Sequence, residues 1–142
     1  MRFQDWDMDN LRTGRHCVFM MHAHLIFITK YRGKVFSVDH LGKMEEIMRG
    51  VCTQFEVEMV EFNGEQDHIH MLVNFPPKVA ISKLVNSLKG VSSRKMKLFF
   101  PELHKSAWKT DALWSPSYFA GSVGGAPLEV LKRYIEQQNR PH

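Results

Sequence analysis

The chain has 142 residues, of which 44% are hydrophobic and 24% charged, with a formal net charge of +4. That length suits one domain with its own core, and the composition excludes disordered, collagen-like and disulfide-stapled classes. No apolar run approaches the roughly 18 residues of a membrane span, and the start, Met1-Arg2-Phe3-Gln4-Asp5-Trp6, has no signal-peptide core. A cytoplasmic protein without membrane contact is the default expectation.

Residues 1–15 read as a polar arm and 16–142 as a single domain. From Cys17 to Thr29 the chain is rich in Val, Phe, Ile and Met, the pattern of a first strand. Arg32-Gly33-Lys34 breaks it. Ser37 or Asp39 can cap a helix whose apolar residues Val38, Leu41, Met44, Met48, Val51 and Phe55 recur every three or four positions. Val57 to Phe62 reads as a second strand, and Asn63-Gly64 as a hairpin turn into a third. In that third strand Ile69, Met71, Val73 and Phe75 face one way, while His68, His70, Leu72 and Asn74 face the other.

Pro76-Pro77 ends the strand. A second helix follows, with Ile81, Leu84, Val85, Leu88 and Val91 on one stripe and Gly90 as a weak point. Pro101 begins a loop containing Trp108. Leu113 to Val123 reads as a fourth strand, at an edge or with a bulge because of Pro116. Gly124-Gly125 forms a joint, and Pro127 opens a last helix with Leu128, Leu131 and Ile135 as its packing stripe. The order β-α-β-β-α-β plus a helix predicts an α+β fold. It is the ferredoxin-like split βαβ, an antiparallel sheet with helices on one face and a further C-terminal helix.

Charge and chemistry are unevenly spread. Between Lys78 and Lys109 lie eight Lys and Arg residues against one acid, Glu102, so the rest of the chain is net acidic. A basic segment on a near-neutral body suits a polyanion, although a solvated helix face gives the same pattern. Cys17 and Cys52 lack metal-type spacing and read as small buried hydrophobes. No glycine-rich phosphate loop is present, so no nucleotide is expected.

His68 and His70 are two imidazoles on one strand face, a pair that can begin a metal site but cannot complete one. Tyr134 and Gln138, four apart on a helix, lie about one turn from each other on one face. Each pair alone is more often surface or packing than site.

Five segments in order make the set specific. They are His24-Leu25-Ile26-Phe27-Ile28-Thr29-Lys30-Tyr31-Arg32, Asp67-His68-Ile69-His70-Met71-Leu72-Val73, Leu88-Lys89-Gly90-Val91-Ser92-Ser93-Arg94, Leu113-Trp114-Ser115-Pro116-Ser117-Tyr118-Phe119 and Tyr134-Ile135-Glu136-Gln137-Gln138. With these the chain resembles the single-tyrosine HUH transposases of bacterial insertion sequences, the TnpA-type enzymes, over most of its length. The resemblance implies that His68, His70 and Gln138 hold Mg2+ or Mn2+ and that Tyr134 is the nucleophile. It also implies single-stranded DNA with hairpins as substrate, and a homodimer with active sites shared between chains. One departure is Gln66, where members of the family often carry proline before the Asp of the histidine strand.

Beside that resemblance, Lys89, Ser92, Ser93 and Arg94 could contact phosphates, as could Arg32 and Lys34. Trp108, Trp114 and Tyr118 could stack unpaired bases, with a core role the stronger expectation for Trp114. Two other functions fit the same sequence: a chromosomal nuclease that processes repeated extragenic palindromes, and a non-catalytic ferredoxin-like nucleic-acid-binding module.

Overall fold

Alternation of apolar residues in the strands and their three-to-four spacing in the helices leave one arrangement that buries every stripe. The structure, a computed structural model, describes residues 12–14, 16–30, 33–103, 112–122 and 128–137, with the backbone alone at 128–132. Two short strands, β1 (Arg12–Thr13) and β2 (Val18–Phe19), pair as a hairpin. Next come β3 (His22–Ile28), α1 (Val38–Gln54), β4 (Glu58–Gly64), β5 (His68–Asn74), α2 (Ile81–Phe99), β6 (Phe119–Ser122) and α3 (Leu128–Gln137). The main sheet is antiparallel in the order β4-β5-β3-β6, the ferredoxin-like topology expected.

The core lies on one face of this sheet. Leu25 and Phe27 of β3 and Ile69, Met71 and Val73 of β5 are fully buried there beneath Met44, Met48 and Val51 of α1 and Leu84, Leu88 and Met96 of α2. Each such side chain contributes roughly 1.5–3 kcal/mol by leaving water. Val38 departs from the expected stripe: it is the first residue of α1 and lies exposed, while Ile47 and Cys52 take inward positions.

Side chains fix the start of α1 and backbone bonds its end. Ser37 is its N-cap, and its Oγ accepts from His40 N at 3.3 Å while His40 Nδ1 accepts from Ser37 N at 3.1 Å. This is a capping box in which an imidazole stands in for the usual Glu. At the other end Glu56 adopts φ 59. Val57 N donates to Cys52 O at 2.8 Å and Glu56 N to Thr53 O at 3.0 Å, the paired bonds of a Schellman turn.

Four expectations shift. Asn63 and Gly64 belong to β4, paired with His70 and Ile69, and the turn falls on Glu65, Gln66 and Asp67. Gln66 O accepts from both Val35 N and Phe36 N, at 2.8 and 2.9 Å, so the approach to α1 pins that wider turn. Leu41 of α1 leans over Gly64 where a Cβ would stand, so a side chain there would have to displace it. The fourth strand is also shorter than expected: Trp114 makes an isolated bridge to Thr29, and regular pairing resumes only at Phe119, after Pro116.

The boundary between arm and domain at residue 15 cuts through the β1–β2 hairpin. Arg12 ties that hairpin to the body by donating to Asn74 O and Glu56 O, both at 2.9 Å. Cys17 is exposed and only Cys52 is buried. Burial raises the Cys52 thiol to about 11. In β4 the register slips between Met59 and Glu61, leaving Val60 as the extra residue of a bulge. No described helix is long and apolar enough to cross a membrane.

Candidate active site

Because β5 alternates, burying Ile69, Met71 and Val73 forces His68 and His70 to the other face of the sheet. The antiparallel register sets Ile28 of β3 opposite His68 and Ile26 opposite His70. Both isoleucines are buried, forming a second small apolar cluster with Phe119, Tyr134 and Ile135 packed on it. The last helix therefore lies over the histidine-bearing face, and Tyr134 sits on residues that flank both histidines. Its ring meets Phe119 at 5.5 Å. Tyr134 and Ile135 both pack here, so the tyrosine belongs to the packing surface of the helix.

Each histidine has a polar partner. His68 Nδ1 lies 2.8 Å from Asp67 Oδ1, and Asp67 is buried. His70 Nε2 lies 2.8 Å from His24 Nδ1, with the rings stacked at 5.0 Å and 27°. Burial lowers the pKa of His70, and His24 adds to the shift while Glu61 opposes it. A lowered pKa favours the neutral ring, the form that ligates metals. Two imidazoles with anchored rings fit a divalent cation whose remaining positions stay open for other ligands. Among the described residues no group of three or more His, Cys, Asp or Glu is placed to hold a metal. Gln138, the expected third ligand, lies outside the described residues.

A chain of bonds runs from α2 to the tyrosine. Trp114 Nε1 donates to Ser92 Oγ at 3.0 Å, and Ser92 Oγ to Lys89 O at 3.2 Å. Lys89 Nζ donates to Ser115 O at 2.7 Å and to Pro116 O at 3.3 Å. Ser115 N donates in turn to Ile28 O at 2.7 Å. The segment thus fixed presents Ser117, whose Oγ lies 3.2 Å from Tyr134 Oη.

These bonds engage several of the residues expected to contact DNA. Ser92 and Trp114 are buried against each other, so neither presents a group to a phosphate or a base; Trp114 packs on Phe27 and Phe36. Lys89 is half-buried, its ammonium lowered from the ordinary value by burial and spent on two carbonyls. Arg94 and Lys34 are exposed, Ser93 is half-buried, and Tyr118 is half-buried against the core near Lys89. Arg32, Trp108 and the Gly124-Gly125 joint lie outside the described residues. The sequence reading missed His24 and Ser117 as companions of the site. Parity along β3 puts His24 on the face of Ile26 and Ile28, a signal available in the sequence; nothing local marks Ser117.

Residues 17–138 match the family described as "Transposase IS200 like". The chain is 32% identical over 129 residues to the ISDra2 transposase TnpA of Deinococcus radiodurans, covering 91% of each chain. It is 31% identical over 131 residues to the transposase for insertion sequence element IS200 of Salmonella typhimurium, covering 92% of this chain and 85% of that protein. A crystal structure of a proposed transposase from Deinococcus radiodurans superposes with a TM-score of 0.79 at 32% identity, covering 89% of this chain and 97% of that one. A REP-associated tyrosine transposase bound to a REP hairpin shares the fold at a TM-score of 0.56 and 10% identity, covering 88% of this chain and 68% of that one.

Proposed function

The chain belongs to the IS200-like transposase family, and from that premise we propose that it cuts and rejoins single-stranded DNA through a covalent tyrosine intermediate. One observation carries this reading: Tyr134 packs on Ile26 and Ile28, the cross-strand neighbours of His70 and His68, so nucleophile and imidazoles share one face. Tyr134 Oη attacks the scissile phosphorus, a P–Oη bond forms and the P–O3′ bond breaks. The products are a 5′-phosphotyrosine and a 3′-hydroxyl, on which the phenolic proton ends through solvent. A 3′-hydroxyl then attacks the phosphotyrosine, rejoins the strand and returns the phenol.

His68 and His70, with Gln138, would hold Mg2+ or Mn2+. When bound, the cation polarises the phosphate and so eases attack by a phenol whose ordinary pKa is near 10. Ser117 orients the hydroxyl of Tyr134. The phosphotyrosine conserves the energy of the broken bond, so no nucleotide is required. Exposed Arg94 and Lys34 supply phosphate contacts, and hairpin-bearing DNA ends are the substrate class. The greater identity to insertion-sequence enzymes, against 10% to the REP-associated one, favours element ends over dispersed chromosomal palindromes.

The test is covalent capture. With hairpin DNA and Mn2+, the wild type should give a denaturation-resistant protein–DNA band. Tyr134→Phe should give none while still binding DNA, and EDTA should abolish the band. An adduct in the Phe variant would remove Tyr134 as nucleophile, and a non-catalytic binding module would give no adduct at all. A homodimer with shared sites is part of the same proposal, and mixing Tyr134→Phe with His68→Ala should then restore cleavage. Confirmed heterodimers that stay inactive would place each site within one chain.

A further inference from the structure

His68 and His70 are each anchored through one ring nitrogen, but by different chemistry. His68 Nδ1 meets a buried carboxylate, Asp67, at 2.8 Å. His70 Nε2 meets another imidazole, His24, at the same distance. These bonds leave His68 Nε2 and His70 Nδ1 unengaged among the described residues. An imidazole that ligates a metal through one nitrogen has its tautomer and ring plane set by the bond its other nitrogen makes. Asp67 is the ordinary partner for that task. His24 occupies the corresponding position for His70.

We propose that His24 is the positioning residue of His70: its Nδ1 accepts the Nε2 hydrogen of His70, which turns His70 Nδ1 toward the cation. The inference rests on the reading that His68 and His70 hold that cation. The sheet fixes His24 for this purpose. It is paired with Leu72 in β5 and with Gly121 in β6, so it stands beside the strand that carries both histidines. It is half-buried, on the face of Ile26 and Ile28, and its ring stacks against that of His70 at an interplanar angle of 27°. The reverse arrangement, with His24 Nδ1 donating to His70 Nε2, would occupy a lone pair that a cation could use. His24 would then compete with the metal, so the two arrangements predict effects of opposite sign.

The experiment measures Mn2+ binding to the DNA-free full chain by the paramagnetic resonance signal of the free ion, in wild type, His24→Ala, His24→Asn, His24→Gln and His70→Ala. His24→Ala should weaken binding by about 10- to 100-fold, the usual cost of losing such a partner. His24→Asn places an amide near the position of Nδ1 and should recover most of that loss; His24→Gln places it near the position of Nε2 and should not. Unchanged or tighter binding in His24→Ala overturns the proposal, as does equal affinity of the Asn and Gln variants. The Asn–Gln comparison decides the matter if the Ala variant fails to fold. His70→Ala tests the underlying reading separately. If it binds Mn2+ as the wild type does, the metal assignment fails; if it loses binding while His24→Ala does not, only the role of His24 fails.

Discussion

The two faces of the central sheet are made from alternate residues of the same strands, yet they follow opposite rules. On the helix-covered face every side chain of β3 and β5 from Leu25 to Phe27 and from Ile69 to Val73 is fully buried and apolar. On the other, His24, His68 and His70 are half-buried and polar, while Ile26, Ile28 and the polar Asn74 are closed to solvent. Strand backbone groups are satisfied by the ladders whichever way a side chain points. A polar side chain at mid-sheet therefore costs the fold little when the opposite face supplies the burial. The lesson is that stability and chemistry can be separated by one residue.

Adjacent substitutions give the largest expected contrast. His70→Ala should abolish adduct formation and leave the melting temperature nearly unchanged. Met71→Ala, one residue away, should cost about 2–5 kcal/mol of stability and retain adduct formation wherever the protein is folded. Denaturant melts and adduct gels on the same preparations check both. An equal loss of stability in the two variants would break the distinction between the faces.

A smaller effect separates two cations of α2. Lys89→Ala removes the clamp on Ser115 and Pro116, and should cost about 1 kcal/mol in stability while leaving the salt dependence of DNA binding alone. Arg94→Ala should leave stability alone and reduce the log–log salt slope by about 0.7, the share of one phosphate contact on a single strand. Exchanged outcomes would restore Lys89 as a DNA contact. The smallest test concerns the thiols. Burial holds Cys52 protonated up to about 11, so at pH 8 a thiol reagent should label exposed Cys17 in the native state and reach Cys52 only after unfolding. Native labelling of both would show that the helix-covered face opens.

How much of this the sequence disclosed depends on the range of the interaction. The β-α-β-β-α-β order and the inward set of β5 were legible, because period-2 and period-3.6 patterns report burial directly. The wider turn at Glu65–Asp67 was not. Asn63-Gly64 is a strong local signal, overruled by Val35 and Phe36 donating to Gln66 from a distant part of the chain. The roles of Lys89 and Ser92 were hidden for the same reason: their bonds join α2 to a segment more than 20 residues away, whereas the core role of Trp114 was the stronger expectation. His68, His70 and Tyr134 were singled out because five short segments, taken in order, resemble those of a known family. His24 meets His70 across 46 residues, and only the pairing of β3 with β5 brings the two together.

The bulge in β4 decides how this sheet can meet other chains. A regular edge strand is a template for a neighbour's backbone, and charges or bulges blunt it. In β4 the extra residue Val60 breaks the ladder, and exposed Glu58 and Glu61 stand on either side of it. That margin repels strand addition, which guards the molecule against open-ended stacking. The opposite margin, β6, runs Phe119-Ala120-Gly121-Ser122 and carries no charge. Among the described residues the two margins of the sheet therefore differ in kind: β4 is guarded against a neighbour's backbone by charge and a bulge, and β6 has neither guard.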